Sequence, residues 1–397
     1  MIPPLAAITL GWALVVGSVS LEAVRRSVFR RRAPAAAGAA GAAGAADATS
    51  AARVLLVRPC AGRDPWVEEA LGSLAGAKRS FAVTCRLAVA DADDGAHPVA
   101  VAAAAALRAQ GIEASVVLTA ARGPNRKAAQ LAAVVEAERA PYDVVLVVDS
   151  DVDLAGMDLD ALVGPLASRA ELGAVWAPPV EAGHARTPGD RASAAVLGGS
   201  LHAFPLLARL DRGGLVGKVF AVRRDALEAI GGFGALVSHL GEDLELARRL
   251  RADARAVEAA EVVACSMASG RSWDQAEARF GRWISVIRAQ RPALLATYPL
   301  LFFPTLPIVA LAAASAFVAP VPAAIAAGYA VVGRLAVAAA AASAGGLPFS
   351  WRRAAIDAAL ADALLAGAFV CALRSRRVVW RDVALTIDRG GLLRAPE

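Results

Sequence analysis

Three carboxylates follow an apolar stretch within residues 142–154, YDVVLVVDSDVDL, at the alternate positions Asp149, Asp151 and Asp153. The apolar residues before them are typical of a buried strand. In open α/β sheets, ligands bind at the carboxyl ends of the strands. Two carboxylates with one residue between them can share a hard cation such as Mg²⁺ or Mn²⁺, which then bridges to substrate phosphates. The alternative is an Asp-rich turn, since Asp side chains also hydrogen bond to nearby backbone groups.

Two further acidic segments also have a functional and a structural interpretation. The segment AVADADDGAHP (88–98) is a second predicted strand that ends in acids, at Asp91, Asp93 and Asp94. In GEDLELARRLR (241–251), Glu242 and Asp243 begin a predicted helix. Helix capping and the helix dipole explain acids at such a position without any function. These segments therefore indicate a site through their combination and not one by one.

Basic residues cluster beside apolar runs. In RFGRWISVIR (279–288), the spacing i, i+3 and i+4 puts Arg279, Arg282 and Trp283 on one face of a predicted helix. Taken alone, this pattern is typical of an amphipathic helix at a membrane interface. The net charge is +6, and 57% of the residues are hydrophobic. This composition favours an anionic membrane surface over nucleic acid as the partner.

Strand-like and helix-like stretches alternate after residue 52. The pattern predicts strands near 53–58, 83–90, 114–119 and 143–149, with helices near 65–77, 98–110 and 126–139. Such alternation predicts an α/β domain with a largely parallel sheet, here over residues 53–290. Four widely separated cysteines, without the spacing of a metal site, predict free thiols in a reducing compartment.

The N-terminus predicts a membrane anchor. Residues 2–21 carry no charge and are long enough to cross a bilayer. Five arginines follow within residues 25–32, after the apolar run and not before it as in a secretory signal. The positive-inside rule then puts the N-terminus outside and the following domain in the cytoplasm. We expect an anchor over 1–24 and a basic, Ala/Gly-rich linker over 25–52.

The C-terminal part, residues 291–373, predicts further membrane segments. Two runs after residue 294 are plausible spans, and a third at 354–373 is weaker because it contains Asp357 and Asp362. The tail, 374–397, opens with RSRRVVWR and is expected in the cytoplasm. Three crossings would leave that tail outside, so one of the three segments is expected to be re-entrant or interfacial.

The ordered motifs resemble those of membrane-bound inverting glycosyltransferases of the GT-A type. These enzymes have a first Asp, a D-x-D, a later E-D and a Q/R-x-x-R-W before the membrane segments. The likeness narrows to the ceramide glucosyltransferase family and its bacterial relatives, including the hopanoid-biosynthesis glycosyltransferase. It is carried by LLVRPCAGRDP, DADDG, GPNRKAAQL, DSDVDL, GKVFAVRRDAL, HLGEDLELARRL and RFGRW. Arg126 stands where the family has the proline of N-P-K, so the resemblance does not fix the exact role of Lys127.

The resemblance implies an α/β GT-A domain between N- and C-terminal transmembrane helices, and roles for individual residues. Asp243 would be the base for the acceptor hydroxyl, and Asp151 with Asp149 would bind a divalent cation, Mn²⁺ or Mg²⁺. The implied nucleotide-sugar-binding residues are Asp91, Asp94, Lys127, Asp149, Arg279 and Arg282. The implied acceptor-binding residues are His202, Glu242 and Trp283. His202 is one position out of register with the family's histidine, and its alternative is an ordinary core histidine.

The function expected from the resemblance is transfer of glucose or N-acetylglucosamine from a nucleotide diphosphate donor, UDP-linked, to a lipid hydroxyl. The acceptor would be a hopanoid or a ceramide, at the cytoplasmic face of a bacterial inner membrane. The alternatives within the class are transfer to a polyprenyl phosphate and processive polysaccharide synthesis. A processive synthase needs helices that enclose an export channel, and the modest predicted spans do not favour it. The alternative outside the class is a catalytically dead membrane scaffold.

Overall fold

The computed structural model describes residues 2–32, 47–64, 66–181, 185–211, 213–267, 269–375, 377–380, 383–388 and 390–394. Most of the predicted Ala/Gly tether, residues 33–46, lies outside the described residues. The chain divides into two compact units. The helical unit comprises Met1–Pro34, Gly183–Asp211 and Ser269–Val379, and the α/β unit comprises Ala35–Ala182, Arg212–Ala268 and Trp380–Glu397. This division differs from the expected continuous domain over 53–290, because two stretches of that range group with the apolar helices.

The α/β unit is built on a central sheet of seven strands within the described residues, in the order β3-β2-β1-β4-β8-β6-β9. These strands are β1 Arg53–Pro59, β2 Ala82–Val89, β3 Glu113–Leu118, β4 Val144–Val148, β6 Leu172–Trp176, β8 Val219–Arg223 and β9 Ala256–Ala259. The first four pair in parallel, and β8 runs antiparallel to both β4 and β6. Every residue of β4 is buried, which is why its sequence is a continuous apolar run and not an alternating one.

Helices connect the strands of this unit. They are α2 Val67–Gly72, α3 Ala96–Ala109, α4 Arg126–Ala137, α5 Asp160–Ser168, α8 Arg224–Ala229 and α9 Glu242–Ala252. A second small sheet has the order β5-β10-β7, from β5 Val152–Asp153, β7 Pro179–Glu181 and β10 Ala264–Ser266. The α/β class with a mostly parallel sheet is confirmed. The helix expected at 65–77 is a short α-helix followed by a 3₁₀ turn, Ser73–Gly76.

The helical unit contains both apolar and amphipathic helices. They are α1 Pro4–Arg32, α6 Pro188–Gly199, α7 Phe204–Leu210, α10 Trp273–Gln290, α11 Thr305–Ser315, α12 Pro320–Gly345 and α13 Trp351–Arg374. Ser272 and Gln275 form a capping box at the start of α10, which fixes where this amphipathic helix begins. The remaining strands of the described residues are β11 Arg377–Trp380, β12 Val383–Ile387 and β13 Leu393–Arg394.

Three helices of the described chain are long and apolar enough to cross a membrane, within Pro4–Ser27, Pro320–Gly345 and Trp351–Arg374. A fourth candidate is the pair Pro292–Phe302 and Thr305–Ser315, which is bent by 54°. The bend lies at Pro304, which has no N–H to continue a helix and restricts the residue before it. Apolar helices at both ends of the chain are thus confirmed. The four cysteines are free, as expected.

Candidate active site

The acids at the strand ends line one cavity of about 1030 Å³ in the α/β unit. It lies at the carboxyl ends of β1 to β4, and its lining includes Asp91, Asp94, Lys127, Asp149, Asp151 and Lys218. In the strand order, β2 and β3 lie on one side of β1, and β4 lies on its other side. The cavity therefore opens where the connections reverse direction, which is the ligand-binding position of open α/β sheets.

Each carboxylate of the D-x-D is paired with a lysine. Lys127 Nζ lies 2.7 Å from Asp149 Oδ1. Lys218 Nζ donates to both carboxylate oxygens of Asp151 at 2.6 Å and lies 3.3 Å from Asp149 Oδ2. Ser266 Oγ adds a hydrogen bond to Asp151 Oδ2 at 2.9 Å. Sequence reasoning missed Lys218 and Ser266, which lie 67 and 115 positions from Asp151 along the chain.

A fully buried arginine supports the turn that carries these acids. Arg58, in β1, is 0% exposed. Its Nη2 donates to the carbonyl oxygens of Asp149 at 3.0 Å and Val152 at 2.6 Å, and its Nη1 donates to Ala70 O at 2.5 Å. Burial lowers the pKa of Arg58, which the neighbouring thiols and acids partly oppose. A buried cation bound to backbone carbonyls fixes the turn, and removing it would leave those carbonyls unpaired.

The oxygen atoms of the D-x-D fit a hard divalent cation. Asp149 and Asp151 offer carboxylate oxygens at the edge of the cavity, and the Ser266 hydroxyl orients Asp151 from behind. Within the described chain there is no group of three or more His, Cys, Asp or Glu side chains that could hold a metal by themselves. Mg²⁺ is usually bound by one or two carboxylates together with substrate phosphates and water. The residues therefore fit a cation that a phosphate ligand helps to hold.

The two acids that follow β2 are partly engaged with backbone groups. Asp94 Oδ1 accepts hydrogen bonds from Gly62 N–H at 2.7 Å and Ala96 N–H at 2.9 Å. Asp91 Oδ1 accepts one from Asp93 N–H at 3.0 Å. These bonds order the turn at the end of β2. Both residues line the cavity together with the D-x-D, so the structure brings the first and second acidic segments together.

Asp243 lies close to the lysine that pairs with Asp149. It is the second residue of α9, whose N-cap is Gly241 with a φ of 73°. Its Oδ2 accepts from Gly217 N–H and its Oδ1 from Leu244 N–H, both at 2.8 Å. Burial and, to a smaller extent, the like charge of Glu242 raise the pKa of Asp243 to about 6, against the lowering effect of Lys127. A carboxylate with a pKa close to neutral pH is suited to accept a proton.

Gly217 connects Asp243 with the lysine of the D-x-D. Lys127 Nζ donates to Gly217 O at 2.7 Å, while Gly217 N–H donates to Asp243. A Cβ atom at Gly217 would lie 3.1 Å from Lys127 Nζ and 3.3 Å from Asp243 Oδ2, so a larger residue would displace both charged groups. Burial alone would lower the pKa of Lys127, but Asp149 and Glu242 hold it above its ordinary value.

Glu242 takes part in the same network from the other side. Its Oε1 lies 3.5 Å from Lys127 Nζ, and its Oε2 accepts a hydrogen bond from Asn125 Nδ2 at 2.9 Å. Asn125 is also the N-cap of α4, where its Oδ1 accepts from Ala128 N–H. The segment that departs from N-P-K at Arg126 therefore still positions Lys127 between Asp149 and Glu242. The structure brings Glu242, Asp243, Lys127 and Asp149 together.

The remaining predicted site residues belong to the helical unit. Arg279 and Trp283 lie on α10, with the Arg279 guanidinium 4.7 Å from the centre of the Trp283 ring. The Trp283 ring stacks on His202 at 6.1 Å, and His202 is 3% exposed among Phe204, Phe280, Tyr298 and Phe302. Burial lowers the pKa of His202 to about 4. His202 is thus a neutral side chain inside an aromatic cluster.

Arg282 also lies on α10 and is partly buried. Burial lowers its pKa, and the neighbouring cations Arg279 and Arg271 lower it further. Three arginines therefore share this region of the helical unit, and Arg279 donates to Ser193 Oγ at 3.0 Å. An excess of positive charge that is partly removed from water favours an anionic ligand.

The C-terminal tail contributes to the cavity of the α/β unit, which sequence reasoning did not anticipate. Leu385 and Leu393, on β12 and β13, line it. Leu240 N–H donates to Gly391 O at 2.8 Å, and Leu393 N–H donates to Ser238 O at 2.7 Å. The tail is thus attached to the loop that directly precedes Glu242 and Asp243. No local pattern in the tail indicates a partner about 150 residues earlier, so the signal was absent from the sequence alone.

Comparison with known proteins gives one match over nearly the whole chain. A family model described as glycosyl transferase family 21 matches residues 8–393. No protein with a curated function matches. Solved structures that match include glucosyl-3-phosphoglycerate synthase from Mycobacterium tuberculosis with Mn²⁺, UDP and glucosyl-3-phosphoglycerate, at 19% identity and a TM-score of 0.36, covering 61% of this chain and 82% of that one. The same enzyme with Mg²⁺ and UDP matches at 18% identity and a TM-score of 0.35, with the same coverage.

Proposed function

This chain belongs to glycosyl transferase family 21, and on that premise we propose that it moves a sugar from a nucleotide diphosphate to a lipid hydroxyl with inversion. The observation that carries the proposal is the network Asp149–Lys127–Gly217–Asp243. It joins the carboxylates of the cavity to a carboxylate whose pKa is raised to about 6. Sugar transfer needs both a way to neutralise the leaving diphosphate and a base for the acceptor.

The cavity offers the groups that a diphosphate leaving group requires. A divalent cation bound by Asp151 and Asp149 would supply Lewis-acid stabilisation of the developing charge. Lys127 and Lys218 lie at the same acids, within 2.7 Å of Asp149 and 2.6 Å of Asp151. Asp91 and Asp94 line the other side of the cavity and would hold the nucleoside. The resemblance to the family's R-x-x-R-W assigns nucleotide-sugar binding to Arg279 and Arg282.

Asp243 would take the proton from the acceptor hydroxyl. When the hydroxyl attacks the anomeric carbon from the face opposite to the diphosphate, the configuration inverts. The backbone N–H groups of Gly217 and Leu244 hold the carboxylate in place. Glu242 would contact the acceptor beside it, and the resemblance to the family assigns acceptor-binding roles to Trp283 and His202. The acceptor that we propose is a hopanoid or a ceramide, and the sugar is glucose or N-acetylglucosamine.

The packing of α1 against α12 supports a topology for the membrane segments. A Cβ atom at Gly17 of α1 would overlap the Tyr329 ring of α12, so the two helices touch there. Four earlier residues of α1, namely Leu10, Trp12, Ala13 and Val16, share an apolar cluster with Ala323, Ala326, Ala327 and Ala330 of α12, while Gly17 lies beside Tyr329 and Gly333. Earlier residues of α1 thus accompany earlier residues of α12. The two helices run parallel and would cross a bilayer in the same direction.

The C-terminal tail completes this topology. Because α1 leads into the α/β unit and α12 runs parallel to it, α12 would return the chain to the side of that unit. The bent pair ending at Ser315 would therefore cross in the opposite direction. Residues from Trp380 onward group with the α/β unit, so α13 would lie at the interface without crossing. We propose that this side is the cytoplasm of a bacterium, where nucleotide sugars are made, and that the membrane is the inner one.

Lipid mass spectrometry tests the activity. Cells with this protein should contain a hexosylated or N-acetylhexosaminylated lipid that cells with Asp151→Ala lack. Purified protein should make the same product from the matching UDP-sugar, lose activity with a chelator, and regain it with Mn²⁺ or Mg²⁺. Full activity of Asp151→Ala in excess chelator would contradict the role of Asp151. A sugar added only to a polyprenyl phosphate would contradict the acceptor class while leaving the transfer reaction intact.

Cysteine labelling tests the topology. In a cysteine-free background, a cysteine at Phe317, which is 97% exposed before α12, should react from outside the cell. A cysteine at Ser350, before α13, should react only after the membrane is opened, like one at Asp93 in the α/β unit. Labelling of Ser350→Cys from outside would show that α13 crosses.

A further inference from the structure

The ammonium group of Lys218 contacts both carboxylates of the D-x-D directly. The carbonyl oxygen of Lys218 accepts a hydrogen bond from Asp149 N–H at 2.9 Å, which ties the residue to the end of β4. Because β8 runs antiparallel to β4, the residue just before β8 lies at the carboxyl end of β4. The ammonium then reaches both oxygens of Asp151 at 2.6 Å and Asp149 Oδ2 at 3.3 Å.

The two lysines of the cavity differ in what else they bind. Lys127 donates to a backbone carbonyl, Gly217 O, at 2.7 Å and also lies between Asp149 and Glu242. Within the described chain, the side-chain hydrogen bonds and ion pairs of Lys218 go to the two carboxylates of the D-x-D alone. Lys127 is therefore fixed by groups outside the cation site, whereas Lys218 is held only by the groups that would bind the cation.

We propose that Lys218 acts as a displaceable counter-ion that occupies the cation site on Asp151 until a nucleotide diphosphate enters. A divalent cation and an ammonium group on the same carboxylate repel each other. An incoming diphosphate adds negative charge and gives the ammonium new oxygen acceptors, which form strong charge-assisted hydrogen bonds. The flexible four-carbon stem of lysine allows that exchange. The cation and the nucleotide would therefore bind together, each increasing the affinity for the other.

This inference rests on the proposed function for the identity of the anion, but its consequence is measured by binding. Mn²⁺ affinity of the full chain in detergent can be followed by electron paramagnetic resonance of free Mn²⁺, with and without UDP. In the wild type, UDP should tighten Mn²⁺ binding by about tenfold or more, since it relieves the like-charge repulsion at Asp151. In Lys218→Met, Mn²⁺ without UDP should bind about tenfold or more tighter than in the wild type, because the competing ammonium is gone.

Two variants separate this role from a general charge effect. Lys218→Arg keeps the cation and should bind Mn²⁺ without UDP as weakly as the wild type. Lys78→Met removes the same charge from an exposed residue outside the cavity and should also behave as the wild type. Of the three variants, only Lys218→Met should show a smaller effect of UDP on the Mn²⁺ affinity than the wild type.

Two results would overturn the counter-ion role. One is wild-type Mn²⁺ binding that is equally tight with and without UDP, and the other is Lys218→Met binding no tighter than Lys218→Arg. Sugar transfer that persists in a protein showing either result would leave the proposed function standing. Conversely, the expected Mn²⁺ and UDP coupling in a protein that glycosylates no lipid would retain the role of Lys218 and reject the proposed acceptor.

Discussion

The α/β unit and the helical unit both contain an acid paired with a cation, in different surroundings. In the α/β unit, Asp151 and Lys218 meet at the edge of a cavity, with side chains 15% and 18% exposed. In the helical unit, Asp362 and Arg334 lie 3.0 Å apart with side chains only 2% and 5% exposed. Each residue also binds a backbone group: Asp362 Oδ2 accepts from Leu306 N–H at 2.9 Å, and Arg334 Nη1 donates to Phe302 O at 3.2 Å.

The difference shows what each pair can do. Phe302 and Leu306 flank the break at Pro304, where helix ends leave carbonyl and N–H groups without partners. The pair of the helical unit satisfies both ends of that break, so exchanging it would expose unpaired backbone in an apolar region. The pair of the cavity is partly open to solvent, and the Lys218 ammonium lies against carboxylates that a ligand or cation can reach, so a ligand can replace it. The first pair is structural, and the second is suited to binding.

The largest expected effect comes from the carboxylate of the α/β unit that we propose as the base. Asp243→Asn should lower turnover by about 10²–10⁴, the usual contribution of a positioned general base. Asn keeps one acceptor oxygen for the backbone N–H groups, so the lost hydrogen bond should cost only about 0.5–1.5 kcal/mol of stability. Turnover, UDP-sugar binding and thermal unfolding are measured side by side.

Asp253→Asn is the matched control for this substitution. Asp253 is the exposed residue at the other end of α9. Replacing its carboxylate with an amide should leave turnover at the parent rate. If Asp243→Asn also turns over near the parent rate, Asp243 only stabilises the helix and Glu242 becomes the next candidate base.

Asp362→Ala should give the largest loss of stability. It leaves Arg334 as an uncompensated buried charge and Leu306 N–H without its acceptor, and breaking a buried pair in this way costs about 3–5 kcal/mol. Asp357→Ala is the control on the same helix, because its pair with Arg191 is 27% and 44% exposed and pairs at the surface contribute about 0–1 kcal/mol. Thermal unfolding in detergent measures both. Equal losses in the two variants would contradict the structural role of the Arg334 pair.

The elements that position the cavity could be predicted from the sequence because their signals are local. Strands expected near 83–90 and 143–149 are observed at Ala82–Val89 and Val144–Val148. The acids at their ends were found for the same reason: a buried apolar run that stops at carboxylates is visible without knowing the fold.

What could not be predicted depends on the direction and order of strands. Lys218 precedes β8, and its place at Asp151 follows only from the antiparallel pairing of β8 with β4. Sequence gives no direction for a lone strand, so GKVF reads as the start of an ordinary strand. The tail strands that carry Leu385 and Leu393 could not be placed at the cavity for the same reason, because their partners lie far away along the chain. The partner of Asp362, Arg334, is also out of reach, because the pair joins different helices.

The last prediction uses the pH to separate the two causes that raise the pKa of Asp243. With a pKa of about 6, Asp243 should give kcat/KM an acid limb near that pH, and activity should rise as the pH rises and the base ionises. Glu242→Gln removes the like charge, which is the second cause, but leaves burial, which is the larger one. The limb should therefore move down to a pH between about 6 and the ordinary value of 3.8.

Stability should change with the opposite sign over the same pH range. Because folding raises the pKa of Asp243, the protonated form is favoured in the folded state, and its contribution to stability is lost as the pH rises through about 6. Glu242→Gln should weaken that loss, because it brings the folded pKa closer to the unfolded one. Glu228→Gln is the control. Glu228 is 60% exposed, pairs with Arg224 four residues earlier on the same helix, and does not lie on α9 with Asp243. An acid limb that stays in place in Glu242→Gln while it disappears in Asp243→Asn would mean that burial alone sets this pKa. A limb unchanged in both variants would mean that another group titrates there.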